Sequence, residues 1–367
     1  MDQRDWLVSI LPSQDRLEEL LGDDPATALL GLARTRAPIE TGFKDDLAND
    51  PAIKAEFKLA QEAAMALKSD PNASLTAEQT EAMHALVHLL LRPALRVTGG
   101  AIPAIPDSWP RLKSAHDLVM SRTRSVGRID THDRAHVGTG WFAAKDILLT
   151  NRHVAGVLCG LDIRTDPTWI DKLPAAVEAT NNVWDKDPTL QAVWDPAEVP
   201  GPASTATGSI TRIRAWHPLL DMALLDVTGI AESSGLALNI RAVPPAELAG
   251  HDVYLAGYPA VNPPYGLSKQ VADLLFPDAT EVGLKRVSPG QLTGLAADLP
   301  VARNRPRQRH DGSTLGGSSG SPVFDFDTHS VVAIHYAGQY GVENSAVPFW
   351  LLKDEPFFTQ NGIGFAS

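Results

Sequence analysis

From about Val126 onward, short apolar runs are separated by Gly, Pro, Asn and Asp, a texture that predicts an all-β barrel rather than helices. Gly138 to Phe142 and Ile147 to Thr150 read as paired strands that deliver His153 to a loop. Ile210 to Trp216 and Met222 to Val227 read as the next strands, with Asp221 between them. Gly250 to Pro259 opens a second barrel, followed by a short helix at Ser268 to Phe276 and a strand at Val282 to Val287. Gly160 to Gly208 reads as a long insertion carrying Trp169, Trp184 and Trp194, packed on the first barrel or placed to influence substrate access. No repeat of solenoid period is visible.

The first hundred residues have a different spacing. Asp50-Pro51 suits a helix start, the aspartate accepting orphan amides and the proline filling the first helical position, with an alanine-rich run to Lys68 behind it. Thr76 and Gln79 form a capping box, after which Ala82, Met83, Leu86, Val87, Leu90 and Leu91 recur at helical spacing until Pro93. Asp15 to Leu21 and Ala26 to Ala33 predict two shorter helices, and Trp6 and Leu7 are available to pack on the bundle or a partner. A chain of 367 residues is long for one core, so three parts are expected: a helical domain over 1–96, a linker and strap over 97–125 rich in Gly and Pro, and a β domain over 126–367. Arg111 to Met120 is expected to add one more helix or a strap.

The net charge of −12 argues against nucleic acid or an anionic membrane as partner, because phosphate neutralisation needs clustered Lys and Arg. A single cysteine, Cys159, excludes an internal disulfide framework and reads as a small apolar side chain. Met1 to Trp6 carries charges where a secretory signal needs an apolar core, and no apolar run approaches the roughly 20 residues that cross a bilayer. A cytoplasmic protein of bacterial type is the expectation. His84 and His88 sit four apart, a spacing that lets two imidazoles share a metal, but no Glu or Cys completes a set. Packed or solvent-facing histidines are expected there, and neither metal nor cofactor is called for.

Gly316-Gly317-Ser318-Ser319-Gly320-Ser321-Pro322-Val323-Phe324 puts a serine on a glycine-flanked turn before an apolar run. The glycines allow a sharp turn, with the amides of Gly317 and Ser319 facing an oxygen that becomes negative. A serine hydroxyl becomes a useful nucleophile when an imidazole accepts its proton, and that imidazole needs a carboxylate to hold its tautomer. His153, just after Leu148-Leu149-Thr150, and Asp221, at the entrance of Met222 to Val227, supply those groups. Each has an ordinary alternative: a histidine in a turn, an aspartate at a strand entrance, a serine in a Gly-rich loop. Asp226 is a weaker orienting candidate because it lies inside the strand.

The order histidine, aspartate, serine is that of chymotrypsin-type double β-barrels. Together with Gly138-Thr139-Gly140-Trp141-Phe142, Leu149 to His153, Asp221 to Leu225, Ala256-Gly257-Tyr258-Pro259, Ser313 to Phe324 and Ala333 to Gly338, it makes the chain resemble a trypsin-like serine peptidase. The motifs are close to the V8-like, glutamyl-endopeptidase branch. The resemblance covers roughly Val126 to Pro348. It implies a mainly β fold of two six-stranded antiparallel β-barrels, here preceded by a small all-α domain. It further implies a serine endopeptidase with His153 as general base, Asp221 as orienting carboxylate and Ser319 as nucleophile. The chain departs from the family at Ser318, where aspartate or asparagine is usual. Chymotrypsin-type zymogens switch on when a freed apolar N-terminus pairs with that aspartate, so another form of control is implied.

The resemblance places Ser313, Thr314 and His335 along the specificity pocket. Trypsin-type enzymes cutting after Lys or Arg carry an aspartate where Ser313 stands. Two hydroxyls and a histidine instead suit a carboxylate, so cleavage after Glu, then Asp, is expected. The plainer alternative has His335 packed in the barrel and a pocket for small or apolar side chains. Arg303, Arg305, Arg307, Arg309 and His310 form a basic run, expected as a solvated loop, as an attractor of acidic substrate segments, or as a self-cleavage site for a basic-specific peptidase.

Partners are expected to be a protein or peptide substrate and, through the helical domain, a protein that recruits or restrains the peptidase. Similar helix-plus-peptidase layouts occur in bacterial defence systems, where limited cleavage activates an effector. Two competing expectations are a pseudoprotease that grips peptides without cutting, and an intracellular quality-control peptidase. The latter would usually carry a C-terminal peptide-binding domain, for which the roughly twenty residues after Pro348 are too few.

Overall fold

In the computed structural model, described here for residues 3–21, 51–198, 207–231, 233–259, 283–296, 306–314, 316–339 and 343–367, the two textures become separate cores. The N-terminal region is helical: α1 (Gln3–Ile10), α2 (Gln14–Leu21), α3 (Pro51–Ser69) and α4 (Ala77–Leu86). Thr76 caps α4 as its spacing predicts, accepting the Gln79 amide at 3.1 Å while the Gln79 side chain accepts the Thr76 amide at 2.9 Å. The helix then widens into a π-turn over Val87–Leu91, stopping before Pro93. Leu7, Leu17, Phe57, Leu67, Met83 and Leu86 pack into a cluster of their own. His84 is buried with them, and desolvation pushes its pKa down to about 4. The expected helix at Ala26 to Ala33, the cap at Asp50 and the side chains of Trp6 and His88 lie outside the described residues.

The chain then joins the β part. β1 (Leu95–Arg96) is followed by two short helices, α5 (Pro110–Ser114) and α6 (His116–Thr123), where a helix or strap was expected. Trp109, Leu112 and Val119 pack with Trp141, Leu224, Tyr254 and Phe324, so this segment seals a core drawn from both barrels.

The first barrel comprises β2 (Val126–Asp130), β3 (His136–Ala144), β4 (Ile147–Thr150), β5 (Ala192–Asp195), β6 (Gly208–Trp216) and β7 (Ala223–Thr228). The antiparallel ring runs β2-β3-β4-β7-β6-β5 and closes on itself. β5 lies in the stretch read as an insertion. Its run of Ala192-Val193-Trp194-Asp195 is too short and too close to prolines to announce itself, yet Trp194 is fully buried against Phe142, ring centroids 4.9 Å apart. Between β4 and β5 lie α7 (Arg152–Leu158) and α8 (Trp169–Lys186), which buries Leu173, Val177 and Trp184 on the barrel.

The second barrel follows β8 (Ile240–Arg241) and uses β9 (Ala249–Gly257), β10 (Arg286–Leu295), β11 (Gln308–His310), β12 (Pro322–Asp325), β13 (Val331–Gln339) and β14 (Glu343–Pro348). Its six strands order as β12-β9-β10-β11-β14-β13, and β12 pairing with β13 closes the ring. β1 adds antiparallel to β10, Leu95 opposite Val287. The strand expected at Val282 to Val287 begins instead at Arg286 and continues through Pro289 and Gly290 to Leu295. Gly290 stays in the strand because the Gly312 backbone crosses it so closely that a Cβ would lie 2.5 Å from the Gly312 nitrogen. The helix expected at Ser268 to Phe276 lies outside the described residues.

The basic run is a second correction. Arg303 and Arg305 lie outside the described residues, but Arg307 and Arg309 pair with Glu343 at 3.2 and 3.3 Å and His310 is buried in β11. Strand pairing with β14 converts that half of the expected solvated loop into barrel wall.

Candidate active site

His153 sits not in a loop but in the first turn of α7, directly after β4. Its placement is over-determined from the Asp221 side. One Asp221 oxygen accepts the His153 backbone amide at 3.0 Å and the other meets Nδ1 at 2.7 Å. Asn151 donates its side-chain amide to the Asp221 carbonyl at 2.8 Å. Arg152, buried and 5.8 Å over the Trp169 ring, donates Nη1 to the carbonyls of His217 and Pro218. His217 Nδ1 accepts the Leu219 and Leu220 amides, so the turn between β6 and β7 that carries Asp221 is tied at both ends. Burial alone would raise the Asp221 carboxyl, but the adjacent His153 imidazole and the hydrogen bonds from it outweigh that and hold the group below the ordinary carboxylate range.

Ser319 arrives from the other barrel, on the turn before β12. Thr139 of β3 holds that turn across the cleft: its amide donates to the Ser319 carbonyl at 2.8 Å and its hydroxyl to the Gly317 carbonyl at 3.1 Å. Thr150 in turn donates its hydroxyl to the Thr139 carbonyl at 2.8 Å. A Cβ on Gly138 would lie 2.7 Å from Val154, the neighbour of His153, and 3.3 Å from the Ser319 carbonyl oxygen. The Val154 side chain beside the imidazole and the Ser319 backbone therefore meet at one glycine. Among the described residues no hydrogen bond joins the Ser319 hydroxyl to the imidazole, whose Nδ1 is engaged by Asp221.

Gly317 and Gly320 have φ of +90° and +92°, and a Cβ on Gly320 would lie 2.0 Å from the Thr139 carbonyl oxygen. Only glycine makes this turn. The amides of Gly317 and Ser319 donate to no protein acceptor among the described residues, as donors reserved for a substrate oxyanion would. Ser318 is buried, its carbonyl accepting the Ser321 amide at 3.0 Å.

Ser313, Thr314 and His335 are each engaged. The Ser313 hydroxyl donates to the Arg92 carbonyl, and Thr314 donates to the Asn344 side-chain oxygen at 2.6 Å. Asn344 spends its amide on the Gly312 carbonyl at 2.7 Å. His335 is 3 % exposed in β13, with Nδ1 3.2 Å from Nε2 of His310. Burial pushes His310 down to about 3 and, aided by the proximity of His310 and His153, pushes His335 well below the ordinary imidazole value. Both rings are neutral at pH 7.

These buried neutral imidazoles have a stability consequence. His84 and His310 bind protons less readily folded than unfolded, so the folded state is fully favoured above the ordinary imidazole value of 6.5 and loses ground as pH falls toward 4 and 3. By about pH 4.5 the loss is on the order of 2 kcal/mol per ring. Thermal unfolding of the protein should show a midpoint falling from pH 7 to about 4.5. His310→Asn should flatten that fall, and an identical slope in the variant would exclude His310 as its source.

Cys159 is half-buried and desolvation raises its pKa, so it is no competing nucleophile. Asp226 is committed to Arg214. Among the described residues, His251, Asp325 and Asp327 have metal-like spacing, but Arg241 and Arg111 already neutralise the carboxylates. The positioning roles of Thr139, Asn151, Arg152 and His217 were not read from sequence. Thr139, Asn151 and Arg152 stood inside motifs and His217 did not, but the roles of Asn151, Arg152 and His217 depend on where a distant turn folds back.

The family model for the trypsin-like peptidase domain matches residues 138–334, and the chain belongs to that family of serine peptidases. A probable serine protease of Lysobacter enzymogenes is 36% identical over 69 residues, a stretch covering 18% of this chain and 18% of that protein. Among solved structures, Deg5 is similar at 17% identity and a TM-score of 0.42, covering 71% of this chain and 99% of that one. The active form of the Rv3671c protease from M. tuberculosis is similar at 15% identity and a TM-score of 0.42, covering 74% and 93%. No helix among the described residues is long and apolar enough to cross a membrane.

Proposed function

We propose that the protein is a serine endopeptidase acting through Ser319, His153 and Asp221. The observation that carries this reading is the two-point grip of Asp221 on His153, in the cleft where Thr139 anchors the Ser319 turn. With Nδ1–H donated to Asp221, the imidazole keeps its lone pair on Nε2. Ser319 Oγ attacks the scissile carbonyl carbon and its proton passes to His153. The amides of Gly317 and Ser319 stabilise the oxyanion. His153 then protonates the leaving amine, and a water hydrolyses the acyl-enzyme by the same steps.

The pocket reading follows the V8-like resemblance. If His310 donates Nε2–H to His335 Nδ1, His310 is left with an unpaired lone pair; the reverse tautomer would bury an unpaired N–H, since His310 Nδ1 has no partner. Orphaned buried donors are the rarer case, so His335 carries its proton on Nε2 and offers a neutral donor to a substrate carboxylate. Cleavage after Glu, then Asp, is the expected preference. In a peptide series differing at the cleaved position, turnover after Glu should exceed that after Lys, Leu and Ala by about tenfold or more. Equal or better turnover after Leu or Lys removes the acidic pocket, and no cleavage of any peptide removes the peptidase reading in favour of a peptide-gripping pseudoprotease.

The same proposal divides the chain into a helical domain over 1–96 that recruits or restrains the enzyme, a linker and strap over 97–125, and the peptidase over 126–367. The setting it suits is limited regulatory proteolysis in a bacterial cytoplasm, including defence.

A further inference from the structure

The helical region touches the pocket side of the second barrel through Arg92, the residue that ends the π-turn after α4. Its guanidinium is held in place by four contacts. Nη2 meets Asp311 at 2.7 Å and the Gln291 side-chain oxygen at 3.3 Å, Nη1 donates to the Leu91 carbonyl at 2.9 Å, and the group lies 5.4 Å over the Trp109 ring. The ion pair is nearly closed to solvent, its side chains 7% and 3% exposed. The backbone of the same residue acts too, since the Arg92 carbonyl accepts the Ser313 hydroxyl.

Asp311 is fixed from the barrel side as well. One of its oxygens accepts the Gln291 amide at 2.6 Å, and its own amide donates to the Gln291 carbonyl at 3.0 Å. Arg92 therefore grips both ends of the three-residue segment that leaves β11 and enters the proposed pocket. The turn with Gly317 and Ser319 follows directly.

A buried ion pair is poor value as a source of stability, because desolvating two charges offsets most of their attraction. What it provides is a single geometry: a planar fork fixed on a carboxylate does not slide. We propose that Arg92 is a positioning residue of the peptidase, by which the helical region sets the 311–314 segment and hence the substrate pocket. The inference rests on the assignment of Ser313 and Thr314 to that pocket. It makes the helical region part of the substrate-binding architecture, beyond any role in recruitment.

The test compares full-length wild type, Arg92→Met, and the double variant Arg92→Met/Asp311→Asn, which leaves no buried charge unpaired. Measured quantities are KM and kcat on the best peptide, selectivity across the peptide series, the labelling rate with a small fluorophosphonate, and thermal unfolding. Both variants should raise KM by about tenfold and flatten selectivity, with labelling within about threefold of wild type, because the probe needs the nucleophile but not the pocket. The double variant should regain thermal stability without regaining KM. Wild-type KM and selectivity in Arg92→Met, or their full recovery with stability in the double variant, would overturn the proposal. Thr314→Val, run alongside, separates the two failures. Altered selectivity there with wild-type behaviour in Arg92→Met leaves the pocket standing and removes Arg92 from it; no change in either removes both.

Discussion

Ser319→Ala should lower kcat by about a millionfold while leaving peptide affinity and folding close to wild type. The side chain lost is a single hydroxyl at a half-exposed turn whose shape is fixed by backbone: the Thr139 bonds to the Ser319 and Gly317 carbonyls, and the left-handed glycines on either side. None of those contacts involves Oγ. The loss therefore reads the nucleophile and not the fold. Residual cleavage faster than about one part in ten thousand of wild type would point to a second nucleophile or to a different mechanism.

Asp221→Asn should cost about four orders of magnitude in kcat with little change in KM. The amide keeps the shape of the carboxylate, and one oxygen still accepts the His153 backbone amide. Facing Nδ1, however, an amide nitrogen would donate where the carboxylate accepts, turning the imidazole to the tautomer with its proton on Nε2. That proton blocks the lone pair required to activate Ser319. A steady-state rate profile should show activity returning partly at high pH, where hydroxide can replace the lost base; a loss below tenfold would mean that Asp221 does not orient His153 during turnover.

Much of this site was legible in the sequence because its chemistry is carried by residues whose local neighbours announce them. Gly316 to Phe324 contains the positive-φ glycines that the turn needs, and the runs read as strands on either side of Asp221 form β6 and β7. Other parts could not be read. Ala192 to Asp195 is a full barrel strand of four residues whose evidence is burial of Trp194, a tertiary fact. The continuation of β10 through Pro289 and Gly290 was not read either, and there the Gly312 backbone crosses close over Gly290. Arg307 and Arg309 read as solvated charge because Glu343, their partner, lies on a strand more than thirty residues later. Arg92 gave no signal at all: one arginine before a proline, its meaning set by an aspartate 219 residues away.

The difference between the expected loop and the observed helix at His153 has a functional side. In the first turn of α7 the His153 amide is one of the helix's free donors, and Asp221 takes it. The same carboxylate thus caps the helix end and orients the ring that the helix carries.

The most direct test is covalent. Full-length protein treated with a fluorophosphonate and mapped by peptide mass spectrometry should carry one adduct, on Ser319, absent from Ser319→Ala and strongly slowed in His153→Ala. No adduct, or one that persists on another residue when Ser319 is replaced, would contradict the account.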